Sequence, residues 1–246
     1  MMLSYQWTVA LNNRGISRLR TNQETALWLF RVALQMTASQ LEPATPILDP
    51  TMLLEAVPSA HRNEIAIALL GQPESLHNDT HHIFWDNFFA CPLALTPSMD
   101  AYSGDSFVNL SVAVSVLLVN LALNFHFNAA AVNGGIISEE RYKKALSFYH
   151  KAEATLDRIS DESQNLNGRA LIDLLHMIIR NNRAQIAHAL TLYDECQVQL
   201  DRLVMYMTHV TTEDYDLETS KILEWYMVAF LWNAIALKPP IFAPAA

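Results

Sequence analysis

Apolar residues recur along this chain at helical spacing, and one eight-residue pattern appears three times. "ALSFYHKA" supplies Ala145, Leu146, Phe148, Tyr149 and Ala152. "ALWLFRVA" supplies Ala26, Leu27, Leu29, Phe30 and Ala33, and "ALTLYDEC" supplies Ala189, Leu190, Leu192, Tyr193 and Cys196. All three fit A-L-x-[LF]-[FY]-x-x-[AC]. The last two continue alike, sharing Leu-Asp-Arg at residues 156–158 and 200–202. Positions i, i+1, i+4 and i+7 fall on one face of a helix. Small residues at i and i+7 let a neighbouring helix come close, and the aromatic at i+4 fills the space between them.

A second helical pattern precedes each copy: "VALNNRGISRLR" (9–20), "VAVSVLLVNLALNFHF" (112–127) and "ALIDLLHMIIRN" (170–181). The pairs predict helix hairpins over about 8–41, 108–159 and 170–207, joined by turns such as "TNQE" and "NNRA". The middle hairpin carries a longer predicted loop, "NAAAVNGGIISEE" (128–140), marked by Gly134-Gly135.

A small-x3-aromatic-x2-small second helix, following a first helix that contains "NNRG" or "NLAL", resembles the tetratricopeptide repeat. The resemblance covers roughly residues 8–41 and 108–207. It departs from the family's unit of about 34 residues: Ala145 and Ala189 are 44 positions apart, and Ala26 lies 119 before Ala145. The family's tryptophan near the start and proline at the end are missing. The resemblance implies an all-α fold of tetratricopeptide-like hairpins wound into an α–α superhelix. It also implies a non-enzymatic interaction or scaffold protein, which binds a peptide or helix of another protein in a groove. With Gly15, Ala122 and His176 at the small position of the three first helices, Asn12, His126, Asp173, Met177 and Arg180 would line that groove. The subclass that grips a C-terminal carboxylate uses lysines there, and none of the three first-helix stretches has one.

Residues 42–105 interrupt the repeats. "LEPATPILDPTMLLEAVP" is too rich in proline for one helix, "NEIAIALLG" (63–71) predicts a short helix, and "FWDNFFACPLALTP" (84–97) reads as an extended segment packed on the helices. At the other end, residues 216–237 predict an aromatic-rich capping helix bearing Trp225, Phe230 and Trp232. Pro239-Pro240 stops it.

Composition adds constraints. Over 246 residues, 51% are hydrophobic and 17% charged, enough apolar side chain for a sizeable core. The net charge of −9 opposes binding of nucleic acid through its phosphates. Residues 106–138 contain no Asp, Glu, Lys or Arg and are long enough to span a bilayer. Asn109, Ser111, Ser115, Asn120 and Asn124 interrupt the stretch, and no basic cluster flanks it, so a buried helix is expected. The N-terminus lacks a basic start followed by an apolar run, and Cys91 and Cys196 stand alone. An intracellular, cytoplasmic protein is expected, with the N-x-[ST] triplets at Asn78 and Asn109 occurring by chance.

Candidate chemistry is sparse. "HNDTHH" would place His77 and His81 on one face if helical, a weak metal site beside a polar-loop reading. No phosphate-cradling glycine loop and no nucleophile elbow occurs. No catalytic residue and no cofactor is therefore assigned. The alternative is an enzyme, or metal-dependent hydrolase, with its site between the helices and the 42–105 insertion.

Overall fold

The computed structural model describes residues 2–19, 21–41, 84–85, 88–89, 93, 95, 106–132, 135–159, 166–211, 215 and 217–237. Among these the protein is all-α, with seven helices and one two-residue antiparallel ladder. In order they are α1 (Met2–Arg18), α2 (Gln23–Leu41), β1 (Phe84–Trp85), β2 (Phe88–Phe89), α3 (Ser106–Ala130), α4 (Ile136–Leu156), α5 (Leu166–Ala189), α6 (Tyr193–Val210) and α7 (Leu217–Ala236). The ladder pairs Phe84 with Phe89 and Trp85 with Phe88. Helices adjacent in sequence pack on one another from α1 to α6, and α7 lies against α5 and α6.

The α1–α2 pair shows why the small-and-aromatic pattern matters. Ala26, Phe30 and Ala33 are fully buried on one face of α2. A Cβ at Gly15 of α1 would stand 2.6 Å from the Phe30 ring, so only glycine lets the two helices approach this closely. Thr8 and Thr37 share a 2.9 Å hydrogen bond across the same interface. Asn22 caps α2, its Oδ1 accepting the N–H of Thr25 at 3.0 Å.

Copy two behaves alike: Ala145, Tyr149 and Ala152 are fully buried on α4. Copy three does not. Ala189 is exposed and ends α5, while Tyr193 begins α6. Between them Thr191 has φ 59. The N–H of Leu192 bonds to the carbonyl of Ala187 at 2.8 Å, and that of Thr191 to the carbonyl of His188 at 3.0 Å. These two bonds define a Schellman motif, which stops a helix. Its left-handed position is usually glycine; here it is a β-branched threonine, which gives no turn signal in the sequence. Only the second half of the copy keeps its buried register, through Cys196 and Leu200.

The "NNRA" turn is likewise corrected: residues 181–184 are helical and buried inside α5. Asn181, Asn182 and Arg183 reach Asn233, Tyr149 and Glu153 on other helices, partners that a turn would not supply. Much of the predicted 128–140 loop is helical: α3 runs to Ala130 and α4 begins at Ile136, and Ser138 Oγ bonds the carbonyl of Ala129 at 2.9 Å.

Two helices form the interior. α3 is buried on every side over 110–124, and α5 over 170–187 apart from the half-buried Arg180. The stretch Leu110–Ala130 is long and apolar enough to cross a membrane by length and composition, and 94% of its most apolar window is buried inside the protein. Its polar residues fasten neighbours: Ser115 Oγ reaches the carbonyl of Ala152 on α4 at 3.4 Å, and Asn124 Nδ2 donates to the carbonyl of Gln23 on α2 at 3.1 Å. α7 buries Leu223, Tyr226 and Phe230. Its outer stripe of Val228, Leu231, Trp232 and Ile235 is exposed and apolar, unlike the polar outer face of a usual repeat cap. The predicted helix at 63–71 lies outside the described residues.

Candidate functional site

Three asparagines from two helices converge on a segment of the insertion. α1 supplies Asn12 and Asn13, adjacent on its inner side, and α3 supplies Asn120. Asn120 Oδ1 accepts the N–H of Leu93 at 2.8 Å, while its Nδ2 donates to the carbonyl of the same residue at 2.8 Å. Asn12 Nδ2 donates to that carbonyl as well, at 3.0 Å. Two residues further on the arrangement repeats. Asn13 Oδ1 accepts the N–H of Leu95 at 3.1 Å, and its Nδ2 donates to the carbonyl of Leu95 at 2.9 Å.

A backbone whose N–H and C=O both face one way, at residues two apart, is the edge of an extended strand. Each asparagine amide offers one acceptor and a pair of donors, and so stands in for the backbone of a partner strand. The asparagines are themselves tied together. Asn120 Nδ2 donates to Asn12 Oδ1 at 2.8 Å, and Asn12 Nδ2 to Asn13 Oδ1 at 3.1 Å. Asn12 and Asn120 are fully buried, and Leu93 and Leu95 are 1% and 7% exposed, with both leucines part of the main core. The amides meet backbone groups, and the two leucine side chains enter the core.

His126, six residues after Asn120 and so about 120° around α3 from it, belongs to a different group. Its Nε2 lies 2.5 Å from Gln185 Oε1, an atom that only accepts, so Nε2 carries the proton. Tyr149 OH sits 3.5 Å from His126 Nδ1 and receives a bond from Asn182 Nδ2 at 2.9 Å. Asn181 Nδ2 bonds Asn182 Oδ1 at 3.0 Å, and Asn233 Nδ2 bonds Asn181 Oδ1 at 2.5 Å. This buried chain joins α3, α4, α5 and α7. Burial holds the His126 imidazole neutral, pushing its pKa down to about 3 against the opposing hydrogen bond to Gln185. Burial also raises the Tyr149 phenol above its ordinary range.

Asp173 and Arg180 meet around Tyr206. Tyr206 OH donates to Asp173 Oδ1 at 2.5 Å, Tyr215 OH donates to Asp173 Oδ2, and the Arg180 guanidinium lies 4.6 Å over the Tyr206 ring. Burial raises the Asp173 pKa, and the two phenol donors oppose it. Arg180 Nε lies 3.4 Å from Glu153, whose second oxygen pairs with Arg183. Met177 is fully buried core.

The five residues expected to line one groove are thus divided among four places, Met177 being in the core. Asn12 holds the insertion, His126 lies in the buried polar chain, and Asp173 with Arg180 flank Tyr206. Four of the five are buried: His126, Asp173 and Met177 because α3 and α5 are enclosed by other helices over their described middle stretches, and Asn12 because it packs against the Leu93 segment. Nothing in the sequence marks Asn13 or Asn120 as a binding residue. Asn120 stood in the sequence only as a polar interruption of an apolar helix, and its partner, Leu93, is 27 positions away.

His77 and His81 lie outside the described residues, and among those described no group of three or more His, Cys, Asp or Glu could hold a metal ion. Cys196 is buried, its thiol pushed up to about 11 by desolvation. No family model matches the chain, and neither a curated protein nor a solved structure matches it closely enough to name a relative.

Proposed function

We propose that the chain is a non-enzymatic interaction or scaffold protein, a superhelical stack of tetratricopeptide-like hairpins that binds an extended peptide segment of another protein. The site is the asparagine-lined surface of α1 and α3. The observation that carries this is the double grip on Leu93 and Leu95, where side-chain amides meet both backbone groups of each residue. Amides neither titrate nor act as nucleophiles at neutral pH, so the group is suited to holding backbone and not to activating an atom. A helical ligand uses its backbone groups internally and leaves none for the asparagines, which narrows the partner to an extended strand. Support for the superhelical stack comes from the sequential helix packing and from the small-and-aromatic faces of α2 and α4.

The test is a selection from a randomised peptide display library on the wild-type chain and on an Asn12→Ala/Asn120→Ala variant. Enrichment of peptides with aliphatic residues two positions apart, lost with the variant, is expected. Enrichment of a helical i, i+3, i+4 pattern, or enrichment that persists with the variant, contradicts the proposal.

A further inference from the structure

Building on the interaction site proposed above, we infer that the segment carrying Leu93 and Leu95 is a built-in occupant of that site. The partner is then an extended segment with bulky aliphatic residues two positions apart that takes its place.

Three observations converge on this. First, the segment is fastened in the manner of a ligand: the backbone groups of Leu93 and Leu95 meet side-chain amides of α1 and α3, and the two leucines are buried. Second, the receiving asparagines are also tied to one another and sit on packed helices. Asn120 and Asn12 bond each other at 2.8 Å, Asn12 bonds Asn13, and α1 and α3 pack into hairpins with α2 and α4. Third, exchange conserves every bond. An incoming strand brings the same N–H and C=O groups at the same two-residue step, so it can replace the resident segment with no buried amide left unpaired. Pro92 and Pro97 bracket the resident segment in the sequence and disfavour helix there, keeping it suited to this geometry.

A tethered occupant competes at the high effective concentration its tether creates. It therefore weakens the apparent affinity for an outside peptide by the fraction of time the site is closed. Only a partner that outcompetes the resident segment gains entry. The groups reading the strand are uncharged, so charge at the two inward positions of the partner is disfavoured.

The experiment uses a fluorescent synthetic peptide of residues 90–97, with serine in place of Cys91, titrated against the full chain by anisotropy. Leu93→Asp with Leu95→Asp evicts the resident segment. The opened variant is expected to bind the peptide at least about tenfold more tightly than wild type, and adding Asn120→Ala is expected to remove that gain. Equal binding by wild type and the opened variant, lost with Asn120→Ala, overturns the built-in occupant while leaving the interaction site standing. No binding by an opened variant that still melts cooperatively overturns the interaction site itself. A concentration-dependent wild-type dimer that disappears in the opened variant assigns the site to a second copy and overturns the proposed partner. Should the opened variant fail to fold, amide exchange in the wild type decides. Faster exchange at Leu93 and Leu95 than at 116–119 in α3 is expected, whereas equal rates show that the segment leaves only on global unfolding and overturn the inference.

Discussion

Asn120 donates to the side-chain oxygen of Asn12 at 2.8 Å, joining residues 108 positions apart in the sequence and two helices that otherwise belong to separate hairpins. Both side chains are fully buried and both also bond the carbonyl of Leu93. Buried amides must find partners, since an unmet donor or acceptor in the interior costs about 1–3 kcal/mol. Asn120→Ala strands the N–H of Leu93, because Asn120 Oδ1 is its acceptor, while the carbonyl keeps Asn12. The variant should lose about 1–3 kcal/mol in urea unfolding. Asn13→Ala should lose less, its site being only partly buried. Equal midpoints for wild type and Asn120→Ala would show that the amide is not fastening the segment.

Close approach between α1 and α2 gives a second prediction. Gly15→Ala places a methyl against the Phe30 ring and should cost about 1–3 kcal/mol by overpacking. Phe30→Leu should cost less in the Gly15→Ala background than in wild type, which a double-mutant cycle reads as coupling. Ala145→Leu should cost a similar amount, whereas Ala189→Leu, at an exposed helix end, should fall within about 0.5 kcal/mol of wild type. A large loss at Ala189 would restore the continuous third copy that the Thr191 turn interrupts.

His126 sets a pH dependence. Its pKa is about 3 in the fold and 6.5 ordinarily, so between these values the unfolded chain binds a proton that the folded chain does not. The stabilisation is complete above about pH 6.5 and is lost progressively as pH falls toward 3, at up to about 1.4 kcal/mol per pH unit. Thermal melts of wild type and His126→Gln from pH 7.5 to 5 should diverge in slope below pH 6.5, with wild type the steeper. Parallel curves would place His126 in contact with solvent.

Charge reversal at Asp173 tests whether α5 has an open face. Asp173→Lys removes the acceptor of two tyrosine hydroxyls and adds a cation beside Arg169 and His209. A loss of about 3–5 kcal/mol is expected, the range for breaking a buried charged cluster. An unchanged melting temperature would mean that Asp173 is solvated, as a groove residue would be.

Much of the fold was legible because helical period and breakers act locally. The bounds of α7 follow from its apolar stripe and Pro239-Pro240, and the first hairpin from its two periodic stretches around "TNQE". The α5–α6 boundary was not legible, because Thr191 adopts φ 59 without a glycine, and Asn181 and Asn182 resemble turn residues until their partners on α4 and α7 are known. The site was half legible. Asn12 and an apolar, proline-bounded stretch containing Leu93 were each visible, but nothing local joins residues 81 positions apart. An asparagine in a charge-free helix has the same signature whether it faces water, lipid or the backbone of a distant segment.

The central claim, that the asparagines hold an extended strand by its backbone, is tested most directly by methylating that backbone. In the synthetic peptide of residues 90–97, an N-methyl group on the residue corresponding to Leu93 removes the hydrogen that Asn120 Oδ1 accepts and leaves the side chain intact. On the residue corresponding to Ala94 the same group points to the opposite side of an extended strand. Titrated against the Leu93→Asp/Leu95→Asp chain, the first peptide should bind at least about tenfold more weakly than the unmethylated one, a loss of about 1.4 kcal/mol, and the second should bind nearly as well. Equal binding by all three peptides would contradict recognition through the backbone.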